Sequence, residues 1–308
     1  MKSYSLTIFC CIKNSVVIDF ACGTGGFLTS TIDYLKKQDS QEMLEKIQQN
    51  IMGTELKPLP YILSVTNMLL HDLDGTNIKR GNSFSRKLED YTENDKVDVI
   101  VMNPPFGATI MDGLENNFPL KYRTSESSDL FIALILYRLK KDGKVGVIIP
   151  DSFLAGTESS RVNIKRKLLN DCNLHTIVRL PNTCFAPYAT VATNILFFDR
   201  TKSTKEIWYY EHQYPSGKKS YSKTNPIKKK DFKPILAWWD KRKENDFSWK
   251  IDISTVEKNN YNLDFKNPNK RIEIDTKTPK EYIDNIIEDY KEVRVALNKL
   301  KEVIDNEN

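Results

Sequence analysis

Short apolar runs alternate with amphipathic stretches at helical spacing through residues 16–199, and this alternation restricts the possible architectures more than any other feature of the chain. Val16–Phe20, Ile51–Glu55, Val97–Met102, Lys144–Ile149, Leu174–Leu180 and Thr193–Phe198 read as strands. The runs VDVIVM and KVGVII are nearly continuous in apolar residues, as strands covered on both faces are. Phe27–Lys37, Leu59–Leu70, Asp129–Leu139 and Arg161–Leu169 read as helices between them. The expected fold class is α/β, a doubly wound, mostly parallel sheet of about seven strands. A chain of 308 residues can bury a core of that size. With 40% apolar and 28% charged residues it is not collagen-like, mucin-like or wholly disordered.

The alternation fades after Arg200, where Lys, Asn, Tyr and Trp become frequent. Three parts are therefore expected: an α/β domain over 1–200, a basic aromatic-rich extension over 201–278 and a long helix over 279–308. Basic and acidic residues balance over 1–199, so the whole net charge of +5 lies beyond them. Between Arg200 and Lys230 nine basic residues stand against Glu206 and Glu211, with Trp208, Tyr209, Tyr210, Tyr214 and Tyr221 interleaved. Two readings stand: cations and rings that meet the phosphates and bases of nucleic acid, or a solvated Lys-rich loop. In the last part Ile283, Ile286, Tyr290, Val293, Leu297, Leu300 and Ile304 form a narrow a/d seam. Such a seam calls for another helix, from the same protein or from a second chain, and its terminal position favours a coiled coil with a partner. The apolar run Tyr4–Ile12 behind Lys2 is too short to span a bilayer and lacks a small-residue cleavage site. Five Cys, with Cys10 and Cys11 adjacent, give neither a disulfide framework nor a zinc spacing. Reduced thiols and a cytoplasmic, non-membrane protein are expected.

The stretch Asp19-Phe20-Ala21-Cys22-Gly23-Thr24-Gly25-Gly26-Phe27 follows the first strand and opens the first helix. Glycines there let the backbone turn tightly and approach a ligand, while the helix N-terminus favours a negative group. The third Gly of a dinucleotide G-x-G-x-x-G is absent, and no G-x-x-x-x-G-K-[ST] phosphate loop occurs. Glu55 ends the second strand, where doubly wound folds place an acid against ribose hydroxyls. Asn103-Pro104-Pro105-Phe106 directly follows Val97–Met102. Pro105 has no N–H to compete for the Pro104 carbonyl, and Asn103 adds a side-chain oxygen, so two acceptors are offered to an amino group carrying two hydrogens. Phe106 supplies a face for a flat heterocycle. No G-x-S-x-G nucleophile occurs, and His71, His175 and His212 are scattered without metal-ligand spacing. Neither a metal nor a covalent enzyme intermediate is expected.

DFACGTGGF, GTELKP, VDVIVMNPPFG, KVGVIIPDSFL, LPNTCFAPYATVATNILFFDR, WWDKR and YNLDFKNP occur in that order between about Val16 and about Pro268. Together they resemble the modification subunit of type I restriction-modification systems, which are S-adenosylmethionine-dependent N6-adenine DNA methyltransferases. The resemblance implies a Rossmann-like methyltransferase sheet and S-adenosylmethionine as cofactor. It also implies that Asp19, Gly23, Thr24, Gly25 and Gly26 wrap the methionine part of that cofactor and that Glu55 holds its ribose. Asn82, where the family usually has Asp, would contact its adenine. Asn103 and the Pro104 carbonyl, stiffened by Pro105, would take the N6 hydrogens of a target adenine flipped out of the duplex. Phe106 would stack on that base and Phe185 would give its other contact. Phe20 stands where the family usually has Pro, a change in turn stiffness. The implied partners are double-stranded DNA, a specificity subunit docked through the C-terminal helix, and, in the full complex, a second modification subunit and a restriction subunit.

In the resembled family a helical N-terminal domain and a further cofactor-contacting segment precede the Gly-rich turn. Met1–Asn14 matches neither, so a truncated or split form of the subunit is expected. Two alternatives stay open: a non-catalytic assembly subunit, and a methyltransferase of RNA or of protein glutamine that uses the same Asn-Pro-Pro loop.

Overall fold

Along Val97–Met102, Val99 and Val101 pack into one apolar cluster and Ile100 and Met102 into another, all four at most 1% exposed. A strand covered on both faces belongs in the middle of a sheet between two helical layers. The computed structural model has this arrangement; it describes residues 15–37, 49–185, 191–215, 217–218, 220–269 and 278–306, so the N-terminal segment Met1–Asn14 lies outside the described residues. The strands are β1 (Val17–Asp19), β2 (Ile51–Glu55), β3 (Ile78–Arg80), β4 (Val97–Met102), β5 (Leu139–Pro150), β6 (Asn173–Arg179), β7 (Thr193–Asp199), β8 (Glu206–Glu211) and β9 (Ser248–Asp252). They form one sheet in the order β3-β2-β1-β4-β5-β7-β6-β8-β9, in which β7 and β9 run antiparallel to the rest. The helices are α1 (Gly26–Lys36), α2 (Pro58–Leu69), α3 (Ser127–Arg138), α4 (Asp151–Ala155), α5 (Ser159–Asp171), α6 (Lys233–Trp239), α7 (Ile253–Lys258) and α8 (Pro279–Asn306). Side chains of α1 and α6 cover the Val99 face; those of α3, α5 and α7 cover the Ile100 face.

The chain steps from β1 outward to β2 and β3, then crosses back to β4 on the other side of β1. This reversal opens a crevice beyond the carboxyl ends of β1 and β4, the place where open α/β sheets bind ligands.

Two expectations change. The sheet has nine strands, not about seven, because β8 and β9 extend it beyond Arg200. The composition shift there is no break in the sheet, and the described residues up to Asn269 form one compact unit. Of the five aromatic residues singled out beyond Arg200, Tyr209, Tyr210 and Tyr221 are core, and Trp208 and Tyr214 are half-buried against it. Tyr209 pairs with Trp249 across β8 and β9, their rings stacked at 5.3 Å and 10°, and its hydroxyl donates to the Leu263 carbonyl at 3.0 Å. Tyr210 packs on Trp238, and Tyr221 is 2% exposed. A Tyr-Trp strand amid lysines resembles a nucleic-acid surface until its cross-strand partner is known.

Residues from 278 form a separate unit. Thr278 and Glu281 close a capping box at the start of α8: the Thr278 hydroxyl accepts the Glu281 N–H at 3.3 Å, and the Glu281 carboxylate accepts the Thr278 N–H at 2.6 Å. In the seam Ile283, Ile286, Tyr290, Val293 and Leu297 are 54–69% exposed; the side chains of Leu300 and Ile304 lie outside the described ones. Among the described residues Cys22, Cys172 and Cys184 are free and buried, and no helix is long and apolar enough to cross a membrane.

Helix α3 is buried from Ser127 to Leu136, so its polar first turn has to find partners inside the protein. Asp129, 1% exposed, receives the Arg161 Nε–H of α5 at 2.8 Å. Below it the fully buried Lys165 ammonium donates to the Leu154 and Gly156 carbonyls at 3.0 and 2.8 Å. Arg161→Ala leaves Asp129 buried without its cation and should cost about 3–5 kcal/mol in urea unfolding, with the apolar pair Asp129→Leu/Arg161→Met costing less.

Candidate active site

Two glycines in left-handed backbone build the turn after β1, Gly23 at φ +56° and Gly25 at φ +79°. A Cβ on Gly25 would lie 3.2 Å from Met68 Cε, so α2 packs directly on the turn; a Cβ on Gly23 would meet nothing within 4 Å. The Cys22 N–H donates to the Thr54 carbonyl at 3.0 Å and ties the turn to β2. Glu55, at the end of β2, accepts the Gly23 N–H on Oε2 and the Lys57 N–H on Oε1, both at 2.8 Å. Its carboxylate is thereby fixed, and each oxygen keeps a further lone pair for a ligand hydroxyl. Asp19 is 1% exposed, and its Oδ1 accepts the Ala21 N–H at 3.0 Å. Burial pushes the Asp19 carboxyl up to about 8; the Ala21 bond opposes this and the nearby Glu55 charge adds to it.

Beyond β3, Asn82 accepts the Phe84 N–H on Oδ1 at 2.9 Å, and the Ser83 hydroxyl donates to the Phe20 carbonyl at 2.6 Å. Beyond β4, Asn103 Oδ1 is buried with no hydrogen-bond partner. An acceptor left in this state costs on the order of 1–3 kcal/mol, a cost that an incoming N–H donor removes. The next peptides are held from α3: the Ser127 hydroxyl donates to the Pro105 carbonyl and the Ser127 N–H to the Ala108 carbonyl, each at 3.1 Å. Phe106 meets Phe185 edge-on, ring centres 5.7 Å apart at 88°.

These groups border one cavity of about 540 Å³, a volume suited to a nucleoside-sized ligand. Of the residues expected from the sequence, Gly23, Glu55, Asn82, Asn103, Pro104, Pro105, Phe106 and Phe185 line it. Asp19 lies beneath the turn. Thr24, Gly25 and Gly26 shape the turn without lining the cavity: the Thr24 carbonyl accepts an Asn67 amide hydrogen at 2.7 Å, Gly25 caps α1 and Gly26 opens it. Sequence reasoning did not find Ser127, nor the apolar wall of Phe20, Phe84 and Phe131. The available signal for Ser127 was its place at the head of a helix apolar on every side. Chemically, the cavity offers fixed carboxylate oxygens for a diol at one end. At the other it offers an unpaired amide oxygen beside a proline carbonyl, for an amino group.

A sheet of this order with β7 reversed, and a cavity over β1 and β4, is the fold of the class I S-adenosylmethionine-dependent methyltransferases. A Listeria monocytogenes protein described as one of that class aligns at 20% identity and TM-score 0.53 over 75% of this chain and 65% of its own, a likeness of fold alone. The chain belongs to the N-6 DNA methylase family, whose model matches residues 6–277. It is 45% identical over 262 residues to the methylase subunit of the type I restriction enzyme EcoEI of Escherichia coli, covering 82% of this chain and 53% of that subunit. A crystal structure described as a modification subunit of a type I restriction enzyme from Vibrio vulnificus YJ016 aligns at 40% identity and TM-score 0.80, covering 85% of this chain and 57% of that one. The chain thus spans about half the length of the curated relatives it matches.

With its carboxyl at about 8, Asp19 is protonated in the folded protein at pH 6 and ionised in the unfolded chain. The unfolded state then binds fewer protons, so stability falls as pH rises from about 4 toward 8. Asp19→Asn keeps the acceptor for Ala21 and does not titrate. Its melting temperature relative to wild type should therefore climb between pH 5 and pH 8 in differential scanning calorimetry; a constant offset would show that Asp19 ionises normally.

Proposed function

We propose that the chain is the catalytic part of a type I modification subunit that transfers a methyl group from S-adenosylmethionine to N6 of an adenine in DNA. The observation that carries this reading is the buried, unpartnered Asn103 Oδ1 in a cavity that also holds the fixed Glu55 carboxylate. The residues fit the cofactor. Glu55 keeps lone pairs for both ribose hydroxyls, Asn82 suits the adenine edge, and Gly23, on a turn shaped by Thr24, Gly25 and Gly26 with Asp19 beneath it, borders the cavity where the methionine part would lie. When bound, S-adenosylmethionine supplies an electrophilic methyl group on a sulfonium.

The N6 lone pair of adenine is delocalised into the ring and is a poor nucleophile. Asn103 Oδ1 and the Pro104 carbonyl each accept a hydrogen bond from one of its two N–H groups, which draws the nitrogen toward tetrahedral geometry and localises the lone pair for in-line attack, and the nitrogen loses one of these protons to solvent once methylated. Phe106 carries the base on its ring face, with Phe185 edge-on behind it. Ser127 keeps the Pro105 peptide from rotating, so the two acceptors hold their direction. The base has to leave the duplex to enter such a cavity. No side chain forms a covalent bond to the substrate.

The relatives are named as methylase or modification subunits of type I restriction enzymes, which supports assembly with further subunits; the partners proposed are a specificity subunit, docked through the α8 seam, and a second modification subunit and a restriction subunit in the full cytoplasmic assembly. Labelled methyl transfer to DNA, RNA and protein in parallel, with the specificity partner present, tests the assignment. Asn103→Ala should lower transfer to DNA by about 10²–10³-fold and leave calorimetric binding of S-adenosylmethionine unchanged. Undiminished turnover, or transfer to RNA or protein in place of DNA, overturns it.

A further inference from the structure

The basic segment after β8 gives its rings to the core and keeps its lysines at the surface. Tyr221, Ile227, Asp231 and Phe232 are each at most 8% exposed, whereas Lys223, Lys228, Lys229 and Lys230, set among them, are exposed. Residues 212–233 contain a single acidic residue, Asp231, and it is buried, accepting the Lys228 N–H at 2.9 Å. These lysines therefore sit on a pinned stretch of backbone with no exposed carboxylate in the same stretch.

The stretch is fastened beside the candidate active site. The Tyr221 N–H donates to the Thr183 hydroxyl at 2.8 Å, and that hydroxyl meets the Tyr214 hydroxyl at 2.9 Å. Cys184, Tyr221, Ile227 and Phe232 share one apolar cluster, with Phe106 and Phe185 packed against it. Phe185 borders the cavity. Lys202 and Lys205 precede β8 and are also exposed, at the opposite end of that six-residue strand, which is about 20 Å long.

We propose that Lys223, Lys228, Lys229 and Lys230 form the surface that holds the phosphate backbone of duplex DNA alongside the nucleotide entering the cavity. The inference rests on the DNA reading above and adds a place and a mode of contact. Turning a base out of the stack costs a few kcal/mol, and the flanking strand has to be held while this happens. Duplex DNA carries one charge per about 1.7 Å of axis, and each phosphate met by a lysine releases condensed counterions. With Tyr221 and Phe232 buried and Tyr214 half-buried against Tyr221, the lysines of the segment meet phosphates, so the contact positions the strand without reading its sequence.

Two double variants of the full chain that remove equal charge at opposite ends of β8 test this. Anisotropy of a labelled DNA duplex, titrated in the presence of the specificity partner with wild type, Lys228→Gln/Lys230→Gln and Lys202→Gln/Lys205→Gln across a range of salt concentrations, gives affinity and its salt slope. The first pair should weaken binding about tenfold or more and flatten the log–log slope by about 2, one for each phosphate that no longer meets a lysine. The second should leave both near wild type. All four positions are exposed, so melting temperatures should stay unchanged. Equal weakening in the two variants, or none in the first, overturns the proposal and leaves the DNA reading intact. Absence of duplex binding by wild type, or tighter binding to double-stranded RNA, overturns both.

Discussion

Everything at the candidate active site depends on β1 pairing in parallel with β2 on one side and β4 on the other. The strand is three residues long, yet Val17 stands in register with both Ile51 and Val99, and Ile18 with both Met52 and Ile100. Parallel neighbours rise together at about 3.3 Å per residue, so their carboxyl ends open at one level. Asp19, Glu55 and Asn103 are far apart in the chain and meet because of this register. The Gly23 N–H reaches the Glu55 carboxylate only because β1 and β2 end side by side. Both residues that maintain the double pairing, Val17 and Ile18, are buried.

Around the cavity, several acceptors are already held by donors from the protein, and a buried amide oxygen is not. Both Glu55 oxygens, Asn82 Oδ1 and the Pro105 carbonyl have donors from the protein. Asn103 Oδ1 has none. Held groups cannot swing away when a ligand arrives, and the unpaired acceptor is where a ligand gains most. Asp19 illustrates the same economy in charge: desolvation beneath the turn keeps its carboxyl protonated near neutrality, so the folded chain avoids a second buried negative charge near Glu55.

The region beyond Arg200 completes this arrangement. β8 and β9 extend the sheet, and α6 crosses the Val99 face with Trp238 inside the core. The same stretch that contributes these rings carries its lysines outward on short loops between buried anchors. A charge-balanced α/β core and the lysine-bearing stretch after β8 are thus built as one unit, with Tyr221 of that stretch tied to Thr183, two residues from the cavity residue Phe185.

Much was legible in the sequence because it is written locally. Alternating apolar periods fix which segments are strands and which are helices. Glycines at positive φ and consecutive prolines determine backbone shape whatever lies around them, so the turn at Gly23–Gly26, Glu55 at a strand end and the Asn103–Phe106 loop could be named in advance. The antiparallel insertion of β7, the strands β8 and β9, and the Ser127 clamp on Pro105 could not, because each depends on a partner distant in sequence. Tyr209 became core only through Trp249, and Ser127 became part of the cavity only through the packing of α3 beneath the loop after β4. The sequence by itself determined most of the element types before Arg200 and the side-chain types offered at the cavity, because torsional preference and side-chain identity are properties of single residues and short spacings. Register, burial and the division between rings inside and lysines outside were decided by the tertiary structure alone, because burial is shared between surfaces that meet only when the chain has folded.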